Sequence, residues 1–107
     1  MKLPADAIIA AEKLTRYLLV RQPRGDKSEF LSRAGYTLEN SDRLLHDLRT
    51  QVLSLDAALL HSTEFGEFYE IRGVLTGQNG VALSVRSIWM REKLSGSTKF
   101  ITLIPER

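Results

Sequence analysis

Arg72 and Arg86, with Glu70 two residues before Arg72, are the side chains of this sequence best suited to do chemistry. Paired guanidinium forks suit the oxygens of a phosphate. A carboxylate beside them adds a proton acceptor. Metal-free RNA cleavage asks for such a set: a base for the 2′-hydroxyl and cations for the charge that builds on phosphorus. The same residues have plainer readings. Like charges directly opposite each other on neighbouring strands destabilise a sheet, and three things would relieve them: a bound anion, Glu70 itself, or splaying of both side chains into water. Lys13 and Lys27 join Arg72 and Arg86 as candidate anion- or nucleic-acid-binding residues. Both lysines belong to a basic segment that also holds Arg16, Arg21, Arg24 and Arg33 against Asp26 and Glu29. Such a segment attracts phosphates or stands as a solvated face. Lys27 falls in the first turn of an expected helix, where a cation is mildly unfavourable, and that cost hints at use.

Other chemistry is thinly represented. His46 and His61 stand alone, outside any metal-ligand spacing, and read as surface or edge residues. Ser87 falls on an apolar face beside Trp89 and reads as core, not as a nucleophile. The chain has no cysteine, so disulfides and thiolate metal sites are excluded. No phosphate-binding loop, dinucleotide fingerprint, zinc-protease motif or nucleophile elbow is present. No cofactor is expected.

The arginines must be positioned by the strands that carry them. Two apolar-rich runs, Phe68–Leu75 and Val81–Met90, flank Thr76-Gly77-Gln78-Asn79-Gly80, a β-hairpin signal. A two-residue Asn79-Gly80 turn would mix both faces, placing Ile71 beside Ile88 and Gly73 beside Arg86. A three-residue loop, Gln78-Asn79-Gly80 with Gly80 left-handed, changes the parity. Tyr69, Ile71, Gly73 and Leu75 then lie opposite Trp89, Ser87, Val85 and Leu83 on one nearly apolar face. Glu70, Arg72, Ser84 and Arg86 share the other, with Arg72 directly opposite Arg86. The pattern favours this second register.

Upstream of the hairpin the pattern is helical. Ala7–Ala10 reads as either a strand or a first helical turn. Ala11, Leu14 and Leu18 recur at helical spacing, with Ala10 and Tyr17 widening the stripe, and Gln22-Pro23-Arg24-Gly25 stops that helix. A short second helix begins at Asp26, with Glu29 at the capping-box position, buries Phe30, Leu31 and Ala34, and stops at Gly35. A third runs from about Asp42 on the stripe Leu45, Leu48, Val52, Leu55 and Leu59. Ala57–Thr63 fits either its continuation or a strand; the reading adopted ends the helix near Leu55 and makes the segment a strand turning at Glu64-Phe65-Gly66. A loop at Glu92–Thr98 and a last strand at Lys99–Ile104 complete the chain. Helices first and antiparallel strands after give an α+β domain, with N-terminal helices packed on one face of a C-terminal sheet of three or four strands. Leu14, Phe30, Leu48, Tyr69 and Trp89 are the expected common core.

At 107 residues, 43% hydrophobic and 26% charged, the chain is expected to be one soluble globular domain, residues 1–107. The net charge of +2 says little about partners. No apolar run approaches the roughly 18 residues of a membrane span and no secretory leader is seen, so no membrane is expected and a cytoplasmic location is the default.

Several stretches resemble a widespread, uncharacterised family of small bacterial domains, a "domain of unknown function". The resemblance rests on Lys13-Leu14 with Tyr17-Leu18-Leu19; Gly25-Asp26-Lys27 with Phe30-Leu31; Gly35-Tyr36; Tyr69, Gly73, Leu75-Thr76-Gly77 and Gly80; Val85-Arg86-Ser87-Ile88-Trp89; and Thr102 with Pro105. Gln78, Ser87 and Ile104 depart from the pattern, where proline, threonine and tyrosine are usual. Members of that family occur as free-standing proteins and as tail domains of phage-like or toxin-like proteins. The helices-then-sheet order is also similar to that of barnase/colicin D/RelE-like ribonuclease toxins, by analogy of fold alone. Three functions follow as expectations. The first is a metal-independent, toxin-like ribonuclease or RNA-binding domain working through the open sheet face. The second is a non-catalytic protein-interaction module, such as a mobile-element accessory protein or a homodimer using a sheet edge. The third is a small-molecule binder with a pocket between helices and sheet.

Overall fold

The computed structural model describes residues 1–106, which form an α+β fold with short helices in the N-terminal half and antiparallel strands in the C-terminal half. Helix α1 covers Ala11–Lys13 and continues as a π-helical turn, Leu14–Leu18. Helix α2 covers Ser28–Ser32. Helix α3 covers Ser41–Asp47, follows a single 3-10 turn at Leu38–Asn40, and continues as a second π-helical stretch, Leu48–Leu53. Strands β1 (Ala58–Ser62), β2 (Gly66–Thr76), β3 (Ala82–Glu92) and β4 (Thr98–Pro105) form one sheet in the order β1-β2-β3-β4.

The hairpin takes the three-residue loop. Tyr69 pairs with Trp89, Ile71 with Ser87, Arg72 with Arg86, Gly73 with Val85 and Leu75 with Leu83. Gly80 has φ +83°, the left-handed conformation that a β-branched residue resists. The register follows from hydrophobic parity: a one-residue slip would turn Trp89 and Val85 to solvent and bury Arg86. Trp89, Val85, Ile71 and Leu75 are fully buried, together with Leu14, Leu31, Leu44, Leu48, Val52 and Leu103. Phe30 is only partly buried against this core. Ser87 belongs to the interior, as its neighbours imply. Its hydroxyl donates to the Ile71 carbonyl at 3.1 Å and accepts the Trp89 indole N–H at 2.8 Å, so a ring that large is buried with no donor orphaned.

Ala57–Thr63 resolves as the strand: β1 pairs with β2 through Ala58–Glu70 and His61–Phe68, with a bulge between Leu59 and His61. Leu59 therefore lies on a strand and is exposed, instead of closing the helical stripe. The α3 stripe also differs from expectation. Leu44, Leu48, Val52 and Leu53 are buried, whereas Leu45 is partly buried and Leu55 exposed; the wider π turn after Asp47 shifts the faces beyond it, which accounts for Leu53 and Leu55 but not for Leu45. Ala7–Ala10 is extended, and Ile8 bridges Lys99 in parallel, covering the start of the β4 edge. At α2 the N-cap is Lys27, not the expected Asp26, and no capping box forms; Asp26 stands one residue earlier, where its Oδ1 accepts from the Ser28 amide and hydroxyl, while Glu29 lies 4.0 Å from Arg33. The hairpin tip is fastened to the helices at Gly77, where an added Cβ would overlap the Ala34 carbonyl oxygen. Gln51 clamps the neighbouring Thr76 backbone, accepting from its amide at 2.7 Å and donating to its carbonyl at 3.0 Å.

Candidate functional site

The structure brings Glu70, Arg72 and Arg86 together on the sheet face away from the core, with the carboxylate between the two cations. Glu70 Oε1 accepts from Arg72 Nε at 2.6 Å. Its Oε2 accepts from Arg86 Nε at 3.0 Å and Nη2 at 2.6 Å. Glu106 completes the cluster, 3.4 Å from Arg72 Nη1 and 3.9 Å from Arg86 Nε. Two carboxylates thus face two guanidinium groups, and the repulsion built into the register is neutralised by the chain itself. The Glu70 side chain is only 10% exposed, against 63% for Arg72. Hydrogen bonds from Arg72, then from Arg86, hold the Glu70 carboxyl below its ordinary range. A carboxylate held ionised with both oxygens engaged is a weak proton acceptor.

Lys13 and Lys27 come together at a different place. They line one cleft with Tyr17, Leu18, Ile101 and Thr102, a cavity of about 270 Å³ between the α1 π turn, the start of α2 and the outer edge of β4. Lys27 stands at the N-cap position of α2, one residue ahead of the first turn. Its Nζ donates to Thr102 Oγ1 at 3.0 Å. Burial pushes the Lys27 ammonium below the ordinary lysine range. Among the described residues neither lysine has an ion-pair partner, in contrast to both arginines. Both sites adjoin β4. Thr102 within the strand stands at the cleft, and Glu106 just past its end stands at the arginine cluster, four residues along the chain, or about 13 Å at ~3.3 Å per residue.

Three of these residues escaped the sequence reading. Glu106 shares the Arg86 face by strand parity: Arg86 pairs with Ile104, and two residues on the Glu106 amide bonds the Ser84 carbonyl. That parity was available once β4 was aligned, but a bulge between Ile88 and Trp89 blurs the alignment. Thr102 appeared only through the family pattern. Tyr17, expected to widen the buried stripe of α1, is 57% exposed and lines the cleft. The Leu19 amide bonds the Leu14 carbonyl five residues back, and this wider turn moves Tyr17 off the core side.

The remaining polar interior is structural. Asp47 is buried, accepting from the Tyr36 hydroxyl at 2.6 Å and from Arg43 Nε at 3.2 Å, and burial raises Tyr36 well above the ordinary phenol range. His61 stacks on Phe68 with ring centroids 4.8 Å apart, and His46 is exposed. Among the described residues no group of three or more potential ligands could hold a metal, and no helix is long and apolar enough to cross a membrane.

An α+β domain with a helix-flanked antiparallel sheet and a lysine-lined cleft at its edge is the class these features define. The chain belongs to the family described as Domain of unknown function (DUF6883), whose model matches residues 2–107. No curated protein and no solved structure matches it.

Proposed function

We propose that this domain binds RNA through its phosphates, without cleaving it, and that Lys13 and Lys27 are the residues that take the anion. One observation carries the reading: two cations share a cleft whose lining, among the described residues, holds no carboxylate, and one of them is partly buried with a neutral hydroxyl as its partner there. Removing an ammonium from water without an opposite charge is unfavourable, and a bound phosphate repays it with charge-assisted hydrogen bonds. The exposed arginines Arg16, Arg21 and Arg24 lie between the two lysines in the sequence and add positive charge to that segment. Arg72 and Arg86 have their charge already matched and act as a scaffold pair. Cleavage with Glu70 as base has less support, because that carboxylate is spent on both arginines.

Nitrocellulose filter binding of a single-stranded oligoribonucleotide at two salt concentrations tests this. Two phosphate contacts give a slope of log affinity against log salt of about −1.4. A fourfold rise in salt then weakens binding about sevenfold. Lys13→Met and Lys27→Met should each lower the affinity and reduce the slope by about 0.7. No association at low salt, or an association indifferent to both lysines, overturns the proposal.

A protein-interaction reading has one observation of its own. Strand β1 is an uncharged sheet edge, Ala58–Ser62, exposed throughout, with Leu59 and Leu60 at 56% and 42%. Such an edge invites pairing with another strand, although the bulge after Leu59 interrupts it. A mass by sedimentation that rises toward twice 12.1 kDa with concentration, and falls back in Leu60→Lys, would favour a homodimer through this edge.

A further inference from the structure

Resting on the phosphate-binding reading above, we infer that the cleft holds one unpaired nucleotide, with its phosphate on Lys13 and Lys27 and its base against the ring of Tyr17. Tyr17 is a large aromatic side chain left 57% exposed at the wall of the cavity. It stands four residues from Lys13 on the same helical segment, so the cation and the ring are neighbours on one surface. Among the described residues no other aromatic ring packs against it. Apolar surface from Leu18 and Ile101 completes the lining next to the Thr102 hydroxyl. Two ammonium groups, a hydroxyl, an exposed ring and an apolar wall match the parts of a nucleotide. An aromatic ring serves any base, because every base has a stacking face.

The size and position of the cleft set the strand state. Its volume of about 270 Å³ falls just below the ~300–1,000 Å³ usual for drug-sized ligands, so it takes one phosphate and one ring at a time. Bases inside a duplex are stacked on their neighbours and unavailable to a side chain, whereas single strands splay them outward. The ligand is therefore single-stranded, and the contact is tolerant of base identity.

Fluorescence anisotropy of an end-labelled, unstructured oligoribonucleotide, alone and as a preformed duplex, tests the inference on the full chain. Tyr17→Ala should weaken single-strand binding about fivefold or more, with the salt slope unchanged because no charge is lost. Tyr17→Phe, which keeps the ring, should stay within about twofold of the parent. The duplex should bind more weakly than the single strand. Tyr17 lies outside the core, so an unchanged far-ultraviolet circular dichroism spectrum and melting temperature exclude misfolding. Equal affinity of Tyr17→Ala and parent, or duplex binding as tight as single-strand binding, overturns the inference. Failure of the underlying reading looks different: Lys27→Met then leaves affinity and salt slope at the parent values whatever Tyr17 does.

Discussion

Two pairs of cations gather beside β4, one at Thr102 and one at Ile104–Glu106, and the fold treats them in opposite ways. Arg72 and Arg86 are set face to face by the hairpin register, the less favourable arrangement by simple charge. Glu70 between them and Glu106 at their side convert it into an ion network. Lys13 and Lys27 come from separate helices, meet at the β4 edge, and receive a hydroxyl where the arginines receive carboxylates. The difference separates stability from function. A matched cation pair contributes to the folded state and has little left for a ligand, while an unmatched pair costs the folded state and is available to one.

The largest expected effect comes from removing the match. Glu70→Ala leaves Arg72 and Arg86 opposed and should destabilise the domain by roughly 1–3 kcal/mol in urea unfolding, since it removes hydrogen bonds between charged groups. The acid side sharpens this. The Glu70 carboxyl lies below its ordinary value of 4.5 in the folded state. Its stabilising contribution is complete above that ordinary value and is lost as pH falls through the lower, folded one. The stability difference between the parent and Glu70→Gln should therefore shrink as the pH drops below about 4.5. A difference that stays constant with pH would show that the ionised carboxylate is not what holds the arginines.

Next in size is the loop that fixes the register. Gly80→Val should cost about 1 kcal/mol or more, because Gly80 sits at φ +83° with open space around it. The strain is local to the hairpin, so RNA affinity should be unchanged; a parallel loss of binding would tie the anion site to the hairpin and not to the β4 edge.

The smallest effect on stability belongs to the lysines. Lys27→Met should leave the unfolding free energy within about 0.5 kcal/mol of the parent or raise it, because it removes a partly buried charge with no ionic partner. It should still reduce RNA binding. A marked destabilisation by this substitution would place Lys27 in the same structural class as Arg86 and break the contrast.

How legible these two regions were follows from the kind of pattern that encodes each. The hairpin register, the arginine pairing and the burial of Ser87 beside Trp89 were readable, because strand side chains alternate strictly and only one loop length sorts them into two faces. The partner Glu106 was not, since a bulge in β4 breaks that alternation. The helices were placed to within a few residues, but their buried faces were less well assigned. A π turn has no signature in residue type, and each one shifts the faces within and beyond it, which misplaced Tyr17 and Leu55. The lysine cleft depends on contacts far apart in sequence, Lys27 with Thr102 above all, and no local periodicity reports those. Lys13 and Lys27 stood out by charge and family pattern, whereas their meeting in one cleft required the fold.

The most direct measurement is a titration of inorganic phosphate into the ¹⁵N-labelled domain at low salt, followed by two-dimensional amide spectra. The account predicts saturable shifts at Lys13–Leu18, at Lys27 and at Ile101–Thr102, with Glu70, Arg72 and Arg86 unmoved. Shifts centred on Glu70, Arg72 and Arg86, with the cleft silent, would contradict it and make the arginine face the anion site.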